Sequence, residues 1–74
     1  MNIATGWAVT EHDKILVKTV SPTRRAAIVN FLVVERSMAI LNHHSDHDIE
    51  RWWTKYGGRA EVIEVDIVRK VAMP

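Results

Sequence analysis

Ile3, Trp7 and Val9 fall on alternate positions with Thr5 between them, and Ile15, Val17 and Thr19 repeat the pattern after the polar tetrad Glu11, His12, Asp13 and Lys14. A period of two marks strands covered on one face, so residues 3–19 predict a β-hairpin with a loop of about four residues. Gly6 interrupts the first strand, which points to a bulge or a close backbone approach.

The period then lengthens. Between Ser21 and Leu41, Ala27, Phe31, Val34, Met38 and Leu41 recur at steps of four and three, the spacing of one stripe on a helix. Ile28 and Leu32 widen the stripe, while Arg25, Asn30, Arg36 and Ser37 fall off it. Ser21 is placed as N-cap and Pro22 as first helical residue, because proline gives up an N–H that has no partner there. Arg24 stands where a capping box would hold a carboxylate, and Ile28, Val29, Val33 and Val34 are β-branched, so packing must supply what propensity does not.

The run Asn42 to Asp48 is polar throughout. Ser45 with Asp48 has the form of a capping box, which starts a second helix at about Asp46, and Asp46, Asp48 and Glu50 complement its dipole. Ile49, Trp52, Trp53 and Tyr56 form an amphipathic face, and Gly57 with Gly58 supplies a left-handed ending. From Arg59 to Val71 the chain alternates again as a third strand. Ile63, Val65 and Ile67 lie on one side, Glu64 and Asp66 on the other, and Val62 and Val68 fall on the polar side.

The predicted fold is α+β in the order ββααβ, a single domain over residues 1–74. Its two helices form an antiparallel hairpin packed on one face of a three-stranded sheet. The expected strand order is 2-1-3, with the Trp7 strand central and the third strand parallel to it. Ala4, Ala8, Leu16, Val20, Val62 and Val68 are then left on the uncovered face, and this face or an edge strand is the expected contact for a second copy, as a homodimer, or for a partner.

A chain of 74 residues buries only about 60% of its unfolded surface, and the absence of cysteine removes disulfides as a source of stability. With no signal-like segment near Met1 and no apolar stretch of the ~20 residues a membrane span needs, the sequence reads as soluble and cytoplasmic. A net charge of +1 does not mark a nucleic-acid binder. The charges are locally asymmetric: Lys14, Lys18, Arg24 and Arg25 share one window, and Asp46, Asp48 and Glu50 another.

His43, His44 and His47 with Asp46 and Asp48 are the densest set of metal-ligand types. Two histidines four apart on a helix can share zinc, but a helix starting after Ser45 leaves His43 outside it, so no metal is assigned. No nucleophile elbow, acid–base pair or phosphate loop is present, which argues against an enzyme, and no cofactor is implied. Thr23, Arg24 and Arg25 at a helix start make an anion site for phosphate or a partner's carboxylate, unless the arginines pair with Glu61, Glu64 or Asp66. Adjacent tryptophans point about 100° apart, so one of Trp52 and Trp53 belongs at the rim as an interface anchor.

With W-A-V at Trp7 to Val9, K-I at Lys14 and Ile15, T-V-S-P-T-R-R-A-A-I at Thr19 to Ile28, W-W at Trp52 and Trp53, Y-G at Tyr56 and Gly57, and V-x-x-V-x-I at Val62 to Ile67, the chain resembles small uncharacterised proteins of proteobacterial phages and prophages. The resemblance covers most of the chain and brings no site residues with it. It implies a protein that binds and blocks or redirects a host macromolecule, as anti-CRISPR and other counter-defence inhibitors do. Many of those are acidic DNA mimics, which a charge of +1 does not match. The expectation is a non-enzymatic inhibitor acting on a host protein or complex in the host cytoplasm, with Arg24, Arg25, Arg36 and one of Trp52 and Trp53 in contact. The alternatives are a DNA- or RNA-binding regulator, in which Thr23 to Arg25 with Lys14 and Lys18 hold phosphates, and a self-assembling phage component.

Overall fold

The computed structural model describes residues 3–40 and 44–68. Its elements are β1 (Ile3–Glu11), β2 (Lys14–Ser21), α1 (Arg24–Glu35), α2 (Asp46–Tyr56) and β3 (Glu61–Val68), an α+β chain in the order ββααβ. The sheet order is β2-β1-β3, so the Trp7 strand is central as expected. The expected strand residues 69–71 lie outside the described residues.

The hairpin turn is tighter than four residues. Glu11 pairs with Lys14, and His12 and Asp13 between them take φ of 54° and 62°. Positive φ at both central residues gives the primed twist that suits two flanking strands, a role glycine and asparagine usually fill. The irregularity expected at Gly6 is in β2 instead. Trp7 pairs with Ser21 and Val9 with Leu16, so two steps along β1 match five along β2. Buried Thr19 bridges the gap: its Oγ1 accepts from the Val9 N–H at 2.8 Å and donates to the Leu16 carbonyl at 2.6 Å. Gly6 serves the close approach, since a Cβ there would collide with Ile67 Cδ1 and lie 2.9 Å from the Ser21 carbonyl oxygen.

α1 starts two residues later and ends six earlier than the Ser21 to Leu41 periodicity predicts. Ser21 is held in the sheet, its hydroxyl donating to the Thr19 carbonyl and accepting from Asn30 Nδ2, so Thr23 becomes the N-cap, with Oγ1 accepting from the Ala26 N–H at 3.1 Å. At the other end Ser37 turns left-handed, with φ 55°, and the Met38 N–H donates to the Leu32 carbonyl. The buried stripe is therefore Ala27, Ile28, Phe31 and Leu32, and Val34 is exposed. With Val9 and Ile49 these residues form the core, flanked by half-buried Trp7, Leu16, Trp53 and Val62. α2 follows expectation: Ser45 Oγ accepts from the Asp48 N–H, and Gly58 takes the left-handed position.

The helices run in the same direction, where the sequence suggested an antiparallel hairpin. Arg25 at the start of α1 reaches Asp46 at the start of α2, Phe31 meets Trp53 further along, and Arg36 bonds the Tyr56 carbonyl at the far ends. A twelve-residue helix is about 18 Å long, and the ten residues from Arg36 to Ser45 can span it with room to spare. Met38 and Ile40 on this return pack on the core. β3 consequently enters antiparallel to β1, opposite to the expected direction.

This reversal also fixes the faces. Val9 pairs with Val62 and Leu16, so Leu16 and Val62 turn to the helices and join the core rather than the open side. Glu64 and Asp66 share that face, opposite Trp7 and Thr5. Ile63, Val65 and Ile67, expected in the core, lie on the open face beside Ala8, Gly6 and Ala4. The side chain of Val68 is outside the described residues.

Thr19→Val keeps the shape of the side chain and leaves the buried Val9 N–H without an acceptor. We expect urea unfolding to show a loss of about 2 kcal/mol, and Thr19→Ser, which keeps the hydroxyl, to lose about half as much or less.

Candidate protein-binding surface

Arg24 and Arg25 begin α1 with no acidic residue in its first turn, so two cations stand at the positive end of a helix dipole. Parallel packing brings the positive end of α2 beside them. The acidic window identified in the sequence offsets this. Arg24 forms an ion pair with Glu50, and Arg25 pairs with Asp46 and donates to the His44 carbonyl at 3.0 Å. The basic and acidic windows thus bind each other, through Asp46 and Glu50 and not through Glu61, Glu64 or Asp66. These pairs are largely exposed, so each contributes only about 0–1 kcal/mol. Their main consequence is that neither guanidinium is left unengaged for phosphate.

Arg36 is used more heavily. Its guanidinium carbon lies 4.6 Å over the Phe31 ring, Nε donates to the Tyr56 carbonyl at 3.0 Å, and Nη2 donates to Glu11 Oε2 at 2.9 Å. One planar cation therefore joins β1, α1 and the end of α2, a job that needs both the fork and the flat face of arginine. It also sets a positive charge between two negative helix ends. Arg36 was expected as a contact residue; the signal that would have revealed its structural part, Glu11 at the hairpin end, is remote in sequence.

Both tryptophans pack against the core, where one was expected at the rim. Trp53 meets the Phe31 ring edge-on at 5.5 Å, and Trp52 meets His44 edge-on at 4.9 Å; both are half-buried. Lys18 stands exposed in the irregular part of β2, and none of the salt bridges among the described residues involves it. His47 is exposed on the first turn of α2, where His47, Glu50, Arg51, Thr54 and Lys55 line a shallow depression. His43 lies outside the described residues. Among the described residues no three histidine, aspartate or glutamate side chains gather as a metal site, and no helix is long and apolar enough to cross a membrane.

The surface that the predicted contact residues do not account for is the open face of the sheet. α1 packs on the Val9 side, α2 lies against α1 and not against the strands, and neither helix covers the opposite side. Ala8 is fully buried there, Ile63, Val65 and Ile67 are partly exposed, and Ile15 is 51% exposed. Ile63, Val65 and Ile67 sit on the uninterrupted β1–β3 pairing, and an exposed aliphatic patch of this kind is suited to contact with another protein. No protein-family model, curated protein or solved structure matches the chain.

Arg36→Ala removes two charge-assisted hydrogen bonds and the contact with Phe31, and we expect it to destabilise the chain by about 2–3 kcal/mol in urea unfolding. Arg36→Lys retains the charge and loses the fork, and is expected to cost about 1 kcal/mol or more. Equal stability of wild type and Arg36→Ala would show that the three elements hold together without it.

Proposed function

We propose that the chain is a non-enzymatic binding protein that inhibits or redirects a host protein or protein complex through protein–protein contacts. The phage or mobile-element setting, and with it action in the host cytoplasm as a counter-defence or anti-CRISPR-like inhibitor, is drawn from the sequence resemblance. The observation that carries the binding role is the uncovered aliphatic face formed by Ala4, Ile15, Ile63, Val65 and Ile67. Apolar area removed from water contributes roughly 25 cal/mol per Å², and on this face no helix of the chain removes it.

This reading moves the contact away from Arg24, Arg25 and Arg36, which are engaged within the fold. It also weakens the nucleic-acid alternative, whose phosphate-holding arginines already have Glu50 and Asp46. Self-assembly would draw on the same open face and is separated from heterologous binding by the nature of the cross-linked product.

A photo-cross-linking residue at Ile15 or Ile63, expressed in host cells, is expected to give a covalent adduct with a host protein, and the same residue at Lys55 is expected to give none. Adducts of two copies alone would favour the self-assembling component. In parallel, a labelled duplex of about 30 base pairs is expected to show no binding at low salt; salt-sensitive binding lost in Arg24→Ala with Arg25→Ala would replace this function with nucleic-acid regulation.

A further inference from the structure

The backbone of β3 offers more than a face. Glu11 and Lys14 flank a two-residue turn, so they exchange backbone bonds across β1 and β2, and the Val9 N–H also points towards β2, to Thr19. The intervening β1 residues, Ala4, Gly6, Ala8 and Thr10, therefore address β3, where their register partners are Ile67, Val65, Ile63 and Glu61. The remaining residues of the strand, Val62, Glu64, Asp66 and Val68, direct backbone N–H and C=O groups outward from the sheet. β3 is the last strand in the order, and its register with β1 holds from Glu61 to Val68 without a shift.

The two edges of the sheet differ. β2 is interrupted between Leu16 and Ser21, carries Lys14 and Lys18, and is followed at once by Pro22, all features that discourage strand addition. β3 has no proline, glycine, lysine or bulge. Its outer edge is eight residues long and, among the described residues, pairs with no further strand.

Side chains on that edge define what fits. On the helix side Glu64 and Asp66 are exposed and make no ion pair among the described residues, while on the other side Ile63, Val65 and Ile67 continue the open face. A second β3 added antiparallel would set these carboxylates against their own copies, and like charges opposite each other destabilise a strand pair. A strand with lysine or arginine at alternate positions meets them with opposite charge, and aliphatic residues between the basic ones extend the apolar face.

We propose that the outer edge of β3 receives an extended segment of the partner protein as a fourth strand, with basic residues beside Glu64 and Asp66 and aliphatic residues beside Ile63, Val65 and Ile67. This rests on the protein-binding reading and specifies the geometry and chemistry of that partner.

The test titrates the full chain with three labelled octapeptides: alternating lysine and valine, alternating glutamate and valine, and four lysines followed by four valines. The alternating lysine peptide is expected to bind at least tenfold more tightly than either other peptide, with the amide signals of Val62, Glu64 and Asp66 shifting most. Glu64→Gln with Asp66→Asn is expected to reduce that binding about tenfold, and Glu64→Lys with Asp66→Lys to reverse the preference towards the glutamate peptide. Equal binding of the alternating and blocked lysine peptides, an unchanged preference in the charge-reversed variant, or a free chain that dimerises through β3 overturns strand addition. Cross-linking from Ile15 or Ile63 to a host protein together with failure of the peptide titration would overturn this edge mode and leave the binding role standing.

Discussion

The structure depends on the chain turning back after α1. Because the start of α2 lies beside the start of α1, where Arg25 reaches Asp46, and its end beside the end of α1, where Arg36 reaches the Tyr56 carbonyl, α2 runs in the same direction as α1, and β3 then enters antiparallel to β1. Parallel neighbouring helices place like dipole ends together, which is unfavourable unless charge is supplied at each end. The chain supplies it at both. Asp46 and Glu50 meet Arg24 and Arg25 where the helices begin, and Arg36 donates to the Tyr56 carbonyl where they end. The ion pairs are therefore explained by topology before any partner is considered.

The same constraint decides which surface is available. An antiparallel β3 in this register turns Val62 to the core and leaves Ile63, Val65 and Ile67 outside. The core that results is small: Val9, Ala27, Ile28, Phe31, Leu32 and Ile49 are its fully enclosed apolar members. A domain of this size has little stability in reserve, so Thr19, which satisfies the buried Val9 N–H and the Leu16 carbonyl, and Arg36, which ties Glu11 and the Tyr56 carbonyl to the Phe31 ring, matter to holding it in one arrangement. What remains for function is the sheet: among the described residues, an aliphatic face with no helix over it and an edge with no strand beside it.

Much of the fold was legible in the sequence because periodicity reports burial directly. The five elements, their order and the Ser45 cap follow from the spacing of apolar residues and from helix-start chemistry, and the strand order with the Trp7 strand central was expected, though with a parallel third strand. Several of the misread features share a cause, since in each a residue does what its type does not advertise. His12, Asp13 and Ser37 adopt positive φ without being glycine, so neither the tight turn nor the end of α1 is marked. Ser21 and Thr23 are both good caps flanking Pro22, and only the pairing of Ser21 with Trp7 decides between them. β3 is apolar at Val62 as well as at Ile63, Val65 and Ile67, so its alternation fits either face until β1 sets the register. The arginines looked like contact residues because their partners, Glu11, Asp46 and Glu50, are 20 or more residues distant.

Residue-resolved amide exchange along β3 tests the central claim most directly, because the register, the direction of the strand and the openness of its edge all determine one pattern. The amides of Ile63, Val65 and Ile67, bonded to β1, should be protected, while those of Val62, Glu64 and Asp66 exchange at rates near those of exposed chain. Protection in the opposite phase would contradict the antiparallel register and the faces derived from it, and uniform protection along the strand would mean that its outer edge is already occupied.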